Sequence, residues 1–117
     1  MDAKRSELEA KLEDYLKQAS AIAAQLQALE QSRLTPHFDQ IELPAHEVGQ
    51  RLSRLIQTTR ARDVAADGLQ SVACPDCGCQ CSVETREREV QSMDGPIELT
   101  ETMAHCRPCR RSFFPSA

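Results

Sequence analysis

Apolar residues recur at heptad spacing over the first thirty positions of the chain. From Leu8 to Leu29 the intervals alternate between four and three residues, the a/d pattern of a helix that buries one stripe. The pattern predicts a helix over residues 4–31, and Ser6 followed by Glu9 resembles a capping box at its start. The stripe, called the seam below, consists of Leu8, Leu12, Tyr15, Ala19, Ile22, Leu26 and Leu29. Two interpretations stay open: the seam packs on another helix of the same chain, or it forms a self-associating coiled coil.

A second helix is predicted over residues 45–66. Residues 32–44 break the apolar period, so we expect a loop or an extended connection there. Pro44 suits the first turn of a helix, where its missing N–H has no acceptor, and Gly68 lies at the expected stop. The apolar face consists of Val48, Leu52, Leu55, Ile56 and Thr59. A helix of this length can fold back on the first one, so residues 1–68 are predicted to form an antiparallel helical hairpin.

A β-hairpin is predicted in the last third of the chain. Asp94-Gly95 is a turn signal between two strand-like runs, at about 83–92 and 97–105. Because Pro96 cannot donate a hydrogen bond, we expect a four-residue loop that ends at this proline. The expected cross-strand pairs are Ser92 with Ile97, Val90 with Leu99, Arg88 with Glu101, and Arg86 with Met103.

Two Cys-x-x-Cys pairs flank this hairpin. Cys74 and Cys77 are separated by 28 residues from Cys106 and Cys109. Each pair forms a tight knuckle with two thiolates, and two knuckles together are typical of a tetrahedral zinc site. The spacing predicts one Zn²⁺ held by the four cysteines, although iron would use the same ligands. The predicted fold class is therefore α+β, a helical hairpin or coiled coil followed by a small zinc ribbon over residues 73–115.

Other residues near the knuckles raise further expectations. Gly78 follows the first knuckle, where the turn often needs a positive φ, whereas Arg110 in the same place of the second knuckle should be strained. Cys79 and Cys81 are interpreted as spare thiols, with substitute ligands or half of a second cluster as alternatives. His105 is a minor alternative ligand.

Composition narrows the classes of function. Net charge is -4, with a pI of about 5.3, which argues against a free-standing nucleic-acid binder. Aromatic residues make up only 3% of the chain, so a large core is not expected. No apolar leader or membrane-spanning run is present, and we expect a cytoplasmic protein whose thiols stay reduced. A thioredoxin-like redox pair is disfavoured because the strand and helix alternation of that fold is missing.

The stretch CPDCG...TREREVQSMDGPIELTETMAHCRPCRRSFFP resembles the N-terminal zinc-ribbon region of ISKra-type bacterial insertion-sequence transposases. The resemblance covers residues 73–115, and the preceding HEVGQRL segment is similar in kind. It implies a DNA-binding or assembly module whose zinc ligands are the four knuckle cysteines. The catalytic RNase H-like domain of such a transposase would begin where this chain stops. We therefore expect no enzymatic activity, and a truncated, split-frame or excised product.

Two functions follow from these observations. The first is a non-catalytic DNA-binding and oligomerisation module of a transposase. The arginines expected to contact transposon-end DNA are Arg86, Arg88, Arg107, Arg110 and Arg111. Because residues 74–117 contain seven acidic residues against five arginines, binding should be weak and salt-sensitive. The alternative is an interaction protein in which the helical hairpin binds a partner and the ribbon is only structural.

Overall fold

Two helices precede a four-stranded antiparallel sheet in a computed structural model, which describes residues 2–31, 35–68 and 70–115. The expected α+β class is therefore observed. The elements are α1 Asp2–Glu30, α2 Phe38–Ala66, β1 Ser71–Ala73, β2 Gln80–Ser92, β3 Gly95–Cys106 and β4 Arg111–Phe113. The chain divides into two compact units, residues 1–49 and 50–117, and each unit is described by itself.

Helix α1 has close to the predicted bounds, but it does not bury its seam. All seven seam side chains are exposed, so no described residue of the first unit covers this stripe. Ion pairs at i,i+4 lie along the helix surface: Arg5 with Glu9, Lys11 with Glu7, and Lys17 with Glu13. Such exposed pairs each contribute only a few tenths of a kcal/mol, roughly 0.2–0.5. Neither described helix has an apolar stretch long enough to cross a lipid bilayer.

Helix α2 begins at Phe38, seven residues before the predicted start, so the loop prediction is wrong for residues 38–44. The side chain of Gln40 explains the early start. Its Oε1 accepts a hydrogen bond from the backbone N–H of His37 at 2.9 Å, and its own N–H donates to the His37 carbonyl at 3.0 Å. A glutamine that reaches back to the capping residue is half of a capping box. Residues 32–34 of the predicted loop lie outside the described residues.

Pro44 lies inside α2, where it removes a helical donor. Two glutamines, Gln27 in α1 and Gln31 directly after it, supply hydrogen bonds at this point. Gln31 Nε2 donates to the Gln40 carbonyl at 3.0 Å, which is the acceptor that the missing proline N–H would have used. Gln27 Nε2 donates to the neighbouring Ile41 carbonyl at 3.2 Å. Because these two side chains satisfy the carbonyls, the helix continues through the proline.

The sheet of the second unit has the strand order β1-β2-β3-β4. Its long hairpin pairs β2 with β3, while β1 and β4 add three residues each at the open end. The buried core at that end is small. It consists of Cys74, Cys81, Ala104 and Cys106, with Val72, Val83, Cys109 and Phe113 packed around it. A core of this size buries little apolar area, so hydrophobic burial alone stabilises this sheet weakly.

The hairpin register differs from the prediction by two residues. The loop has two residues, and the observed pairs are Ser92 with Gly95, Val90 with Ile97, Arg88 with Leu99, and Arg86 with Glu101. Gly95 adopts φ +112°, and the Ser92 hydroxyl donates to the Gly95 carbonyl at 2.7 Å, which closes a tighter turn than expected. Pro96 lies opposite Gln91, at the end of β3 that β4 does not reach. No described strand on that side of β3 therefore needs a hydrogen bond from the missing proline N–H.

The second half of α2 holds the hairpin turn. The Ser53 hydroxyl donates to the Asp94 carboxylate at 2.5 Å, and Arg54 Nη1 donates to the Asp94 carbonyl at 2.8 Å. Gln57 Nε2 donates to Ser53 Oγ at 3.1 Å, which fixes the hydroxyl in place. These bonds are partly buried, so they attach the tip of the hairpin to the helix within the second unit.

Candidate metal centre

The four cysteines predicted as ligands come together at the open end of the hairpin. The sulfur atoms of Cys74, Cys77, Cys106 and Cys109 all lie within 4.8 Å of one another. The Sγ atoms of Cys74 and Cys109 are 3.9 Å apart, and those of Cys77 and Cys106 are 3.5 Å apart. A tetrahedron with metal–sulfur bonds of about 2.3 Å has sulfur–sulfur edges of about 3.8 Å. The cluster therefore has the size that a four-thiolate metal site requires.

The first knuckle is a tight turn between β1 and β2. The N–H of Gly78 donates to the Cys74 carbonyl at 2.9 Å, and the N–H of Cys74 donates to the Cys79 carbonyl at 2.8 Å. Gly78 has φ +76°, as the sequence predicted. A Cβ atom at this position would meet nothing within 4 Å, so only the backbone conformation favours glycine here.

The second knuckle has an arginine where the first has Gly78. Arg110 has φ +54° and is the one non-glycine residue with positive φ in the described part of the chain. Its N–H donates to the Arg107 carbonyl at 3.3 Å. A left-handed conformation costs an L residue about 1–2 kcal/mol, so the second knuckle stores the strain that the sequence predicted. The strain lies next to two of the clustered thiols.

The pKa values of the clustered thiols move in opposite directions. The backbone N–H of Cys77 donates to the sulfur of Cys74 and holds the pKa of that thiol below its usual value. The pKa of Cys109 is raised to about 12 by its contact with Cys77, then by Cys106 and by burial. The backbone N–H of Cys79 lowers the pKa of Cys77, but the thiols of Cys106 and Cys74 together with burial outweigh it, so this pKa is also raised. Ionisation of one thiol therefore disfavours ionisation of its neighbours. A divalent cation bound between them would offset this repulsion.

The two remaining cysteines have different environments. Cys81 is buried in the core beneath the cluster, and its thiol donates to the Cys79 carbonyl at 3.3 Å. Cys79 is exposed. Neither belongs to the group of candidate ligands, and neither does His105, whose Nδ1 lies 3.1 Å from Ser112 Oγ. The spacing of Cys81 and Val83 on one face of β2 was the signal for this core position, which sequence reasoning missed.

Two of the five candidate DNA-binding arginines contact one acidic residue. Arg88 Nε lies 2.7 Å from Glu101 Oε1, and Arg86 Nε lies 3.1 Å from the same oxygen. The bonds from Arg88 and then Arg86 hold the pKa of the Glu101 carboxyl below its usual value. Arg86 also lies 5.5 Å from the centroid of the Phe114 ring, a cation–π distance. Both arginines therefore have local partners on the sheet.

The other three candidate arginines lie in the second knuckle or directly after it, where Arg111 begins β4. Arg111 forms an ion pair with Asp76 of the first knuckle. Arg107 and Arg110 are exposed, and neither has an ion pair within the described residues 70–115. Only these two guanidinium groups are therefore free of an acidic partner in that part of the chain. They form a small basic patch beside the cysteine cluster.

Comparisons with known proteins give no relative. No family model, curated protein or solved structure matches the chain. The resemblance to insertion-sequence transposases therefore stays a prediction from the quoted stretch. The observed α+β fold and the cluster of four cysteines that could hold a metal ion stand on the structure alone.

Proposed function

We propose that the chain is a non-catalytic binding module in which one structural Zn²⁺ holds a zinc ribbon together. The observation that carries the proposal is the group of four cysteine sulfurs within 4.8 Å of one another at the open end of the hairpin. The core around them is built mainly of cysteine and alanine. Structural zinc contributes on the order of 10 kcal/mol to the folding of such small domains, which makes up for the limited burial.

Four thiolates fit a structural metal better than a catalytic one. A catalytic zinc keeps one position open for water or substrate, whereas four protein ligands close the tetrahedron. Zinc is preferred to iron because the ion has only to hold the two knuckles, without changing its charge. Reduced thiols are also needed before metal can bind, which agrees with a cytoplasmic location.

The surfaces left exposed favour macromolecular binding through α1. Six of the seven seam side chains are large and apolar, and no described residue covers them. Exposed apolar stripes on helices are typical of protein–protein contacts. This favours the interaction role, in which the ribbon is structural and the helical part binds a partner.

DNA binding is the second candidate function, and the basic patch of Arg107 and Arg110 supports it. Two charges release few counterions, so binding should be weak and should fall as salt rises. The test is a titration of zinc-loaded protein with terminal-repeat DNA at low and moderate salt, beside an Arg107→Gln, Arg110→Gln double variant. Binding at low salt that the double variant loses would support this role. No binding at either salt concentration would exclude the DNA role and leave protein interaction as the remaining candidate.

The metal itself is tested by elemental analysis of the purified chain. We expect one zinc per chain, which Cys109→Ser should abolish. Cys79→Ser is the matched control, because this exposed thiol is outside the cluster and its loss should leave the stoichiometry unchanged. A chelator should unfold the sheet of the wild-type chain, as followed by circular dichroism. A chain without zinc or iron, or equal losses in both variants, would refute the proposal.

A further inference from the structure

The seam of α1 faces away from the part of the chain that α1 contacts. In the heptad pattern, Leu12, Ala19 and Leu26 occupy the a positions, and the other seam residues occupy the d positions. The hydrogen bonds to the start of α2 come from Gln27 of α1 and from Gln31 directly after its end; the heptad numbering places them at b and f, on other sides than the seam. The contacts within the first unit therefore leave the whole seam open.

The apolar stripe is large enough for a stable interface. Six of the seam side chains and the neighbouring Leu16 are large, and their exposed fractions run from 40% for Leu16 to 75% for Leu29. Large apolar side chains about half exposed offer roughly 80 Å² each, so the stripe presents on the order of 500–600 Å² per helix. A standard interface buries about 800 Å² per partner, and the side-chain stems that flank the seam supply the remainder.

We infer that a second copy of this chain covers the seam, with the two α1 helices antiparallel and Tyr15 of one facing Ala19 of the other. This inference deepens the proposed function, because it names the partner, and it rests on the chain being a binding module. In this alignment the twofold axis passes between the two helices at the level of Lys17. Leu12 then faces Ile22 of the second copy. The Leu16 side chains of the two copies then meet near the axis.

Two layers of the seam favour the antiparallel arrangement over a parallel one. In a parallel pair each seam residue faces its own copy, so Tyr15 would face Tyr15 and Ala19 would face Ala19, one layer crowded and the next empty. The antiparallel pair sets a large side chain against a small one, which fills space evenly.

Charge complementarity favours the same arrangement. Arg5 occupies the a position before Leu8, and a parallel pair would place two Arg5 side chains opposite each other. In the antiparallel pair Arg5 faces Leu29 and is next to Glu30 of the second copy. That attraction offsets the one repulsive pair of this alignment, Asp2 with Glu30. The parallel pair gains Lys4 against Glu9, and the ion pair of Arg5 with Glu9 within each chain competes with the intermolecular contacts of both arrangements alike.

Light scattering on the zinc-loaded full chain tests whether the second copy binds. We expect twice the 13.0 kDa of one chain. Leu12→Asp buries an unpaired charge in the seam of each copy and should weaken dimerisation roughly a hundredfold or more. Ala10→Asp introduces the same group at an exposed f position and should leave the dimer intact. Helicity and zinc content of both variants show that they are folded.

Spin labels at two equivalent heptad positions test the orientation. Ser6 and Ser20 both occupy b positions, and each is changed to cysteine in a Cys79→Ser chain for labelling. The antiparallel alignment places the two Ser6 positions about 33 Å apart along the axis and the two Ser20 positions about 9 Å apart. Equal separations at both sites would mean a parallel pair and overturn the inference. A zinc-loaded monomer would overturn it without touching the metal site, whereas a dimer without metal would overturn only the proposed function.

Discussion

Gly78 gives the sharpest test of how the first knuckle is built. A Cβ atom added there meets nothing within 4 Å, so Gly78→Ala changes only the backbone preference. At φ +76° an L residue loses about 1–2 kcal/mol relative to its preferred conformations. The lower entropy of alanine in the unfolded chain returns about 0.4–1 kcal/mol. The net destabilisation should therefore be about 1 kcal/mol.

Metal binding and folding are coupled in such a site, so this loss appears in the affinity. At 1.36 kcal/mol per factor of ten, about 1 kcal/mol weakens the apparent zinc affinity about fivefold. The assay is a competition titration against a chelator of known affinity, with wild-type and variant chains in the same buffer.

Arg110→Gly should move the affinity in the opposite direction, by about two- to fivefold, because it relieves the positive φ of the second knuckle. Arg107→Gly is its control: it removes the same charge from the same knuckle at a residue whose φ is not positive, and it should not tighten binding. An unchanged zinc affinity in Gly78→Ala would refute the backbone explanation. Equal tightening by Arg110→Gly and Arg107→Gly would refute it as well.

Three further changes test other parts of the structure. Pro44→Ala restores a helical N–H and should stabilise α2 by about 1–3 kcal/mol in thermal unfolding; a loss of helicity would contradict this. Asp94→Ala removes the acceptor for Ser53 and should cost about 1–2 kcal/mol in denaturant unfolding, whereas an unchanged midpoint would show that the bond contributes nothing. Glu101→Gln tests the arginine contacts: the depressed pKa of this carboxyl stabilises the chain above pH 4.5, and that advantage over the variant should vanish as pH falls further. A difference independent of pH would contradict it.

The helix and the metal ligands were predictable because their signals are local. The heptad spacing of α1 and the two Cys-x-x-Cys pairs are each read from a few adjacent residues, and they gave the helix bounds and the clustered thiols. The predicted start of α2 rested on Pro44, and the capping by the Gln40 side chain, which sets the earlier start at Phe38, was not foreseen. The compensating bonds come from Gln27 in α1 and Gln31 directly after it, so the sequence around Pro44 does not predict them.

The hairpin shows where a local rule gave the wrong answer. The missing backbone N–H of Pro96 predicted a loop position. At this end β3 pairs with β2 only, and a strand end with a single neighbouring strand tolerates a proline. The strands β1 and β4 have three residues each, too few for any periodicity to indicate them. Both the predicted and the observed register place one of these arginines opposite Glu101, so the contact was predictable; the observed register makes Arg86 the directly opposite residue and Arg88 its neighbour.

X-ray absorption at the zinc edge of the purified chain tests the central claim most directly, since it counts the atoms bound to the metal and measures their distances. We predict four sulfur neighbours at about 2.3 Å and no lighter atom in the first coordination shell. A nitrogen or oxygen neighbour at about 2.0–2.1 Å would show that the four clustered cysteines are not the complete ligand set, and would contradict the account.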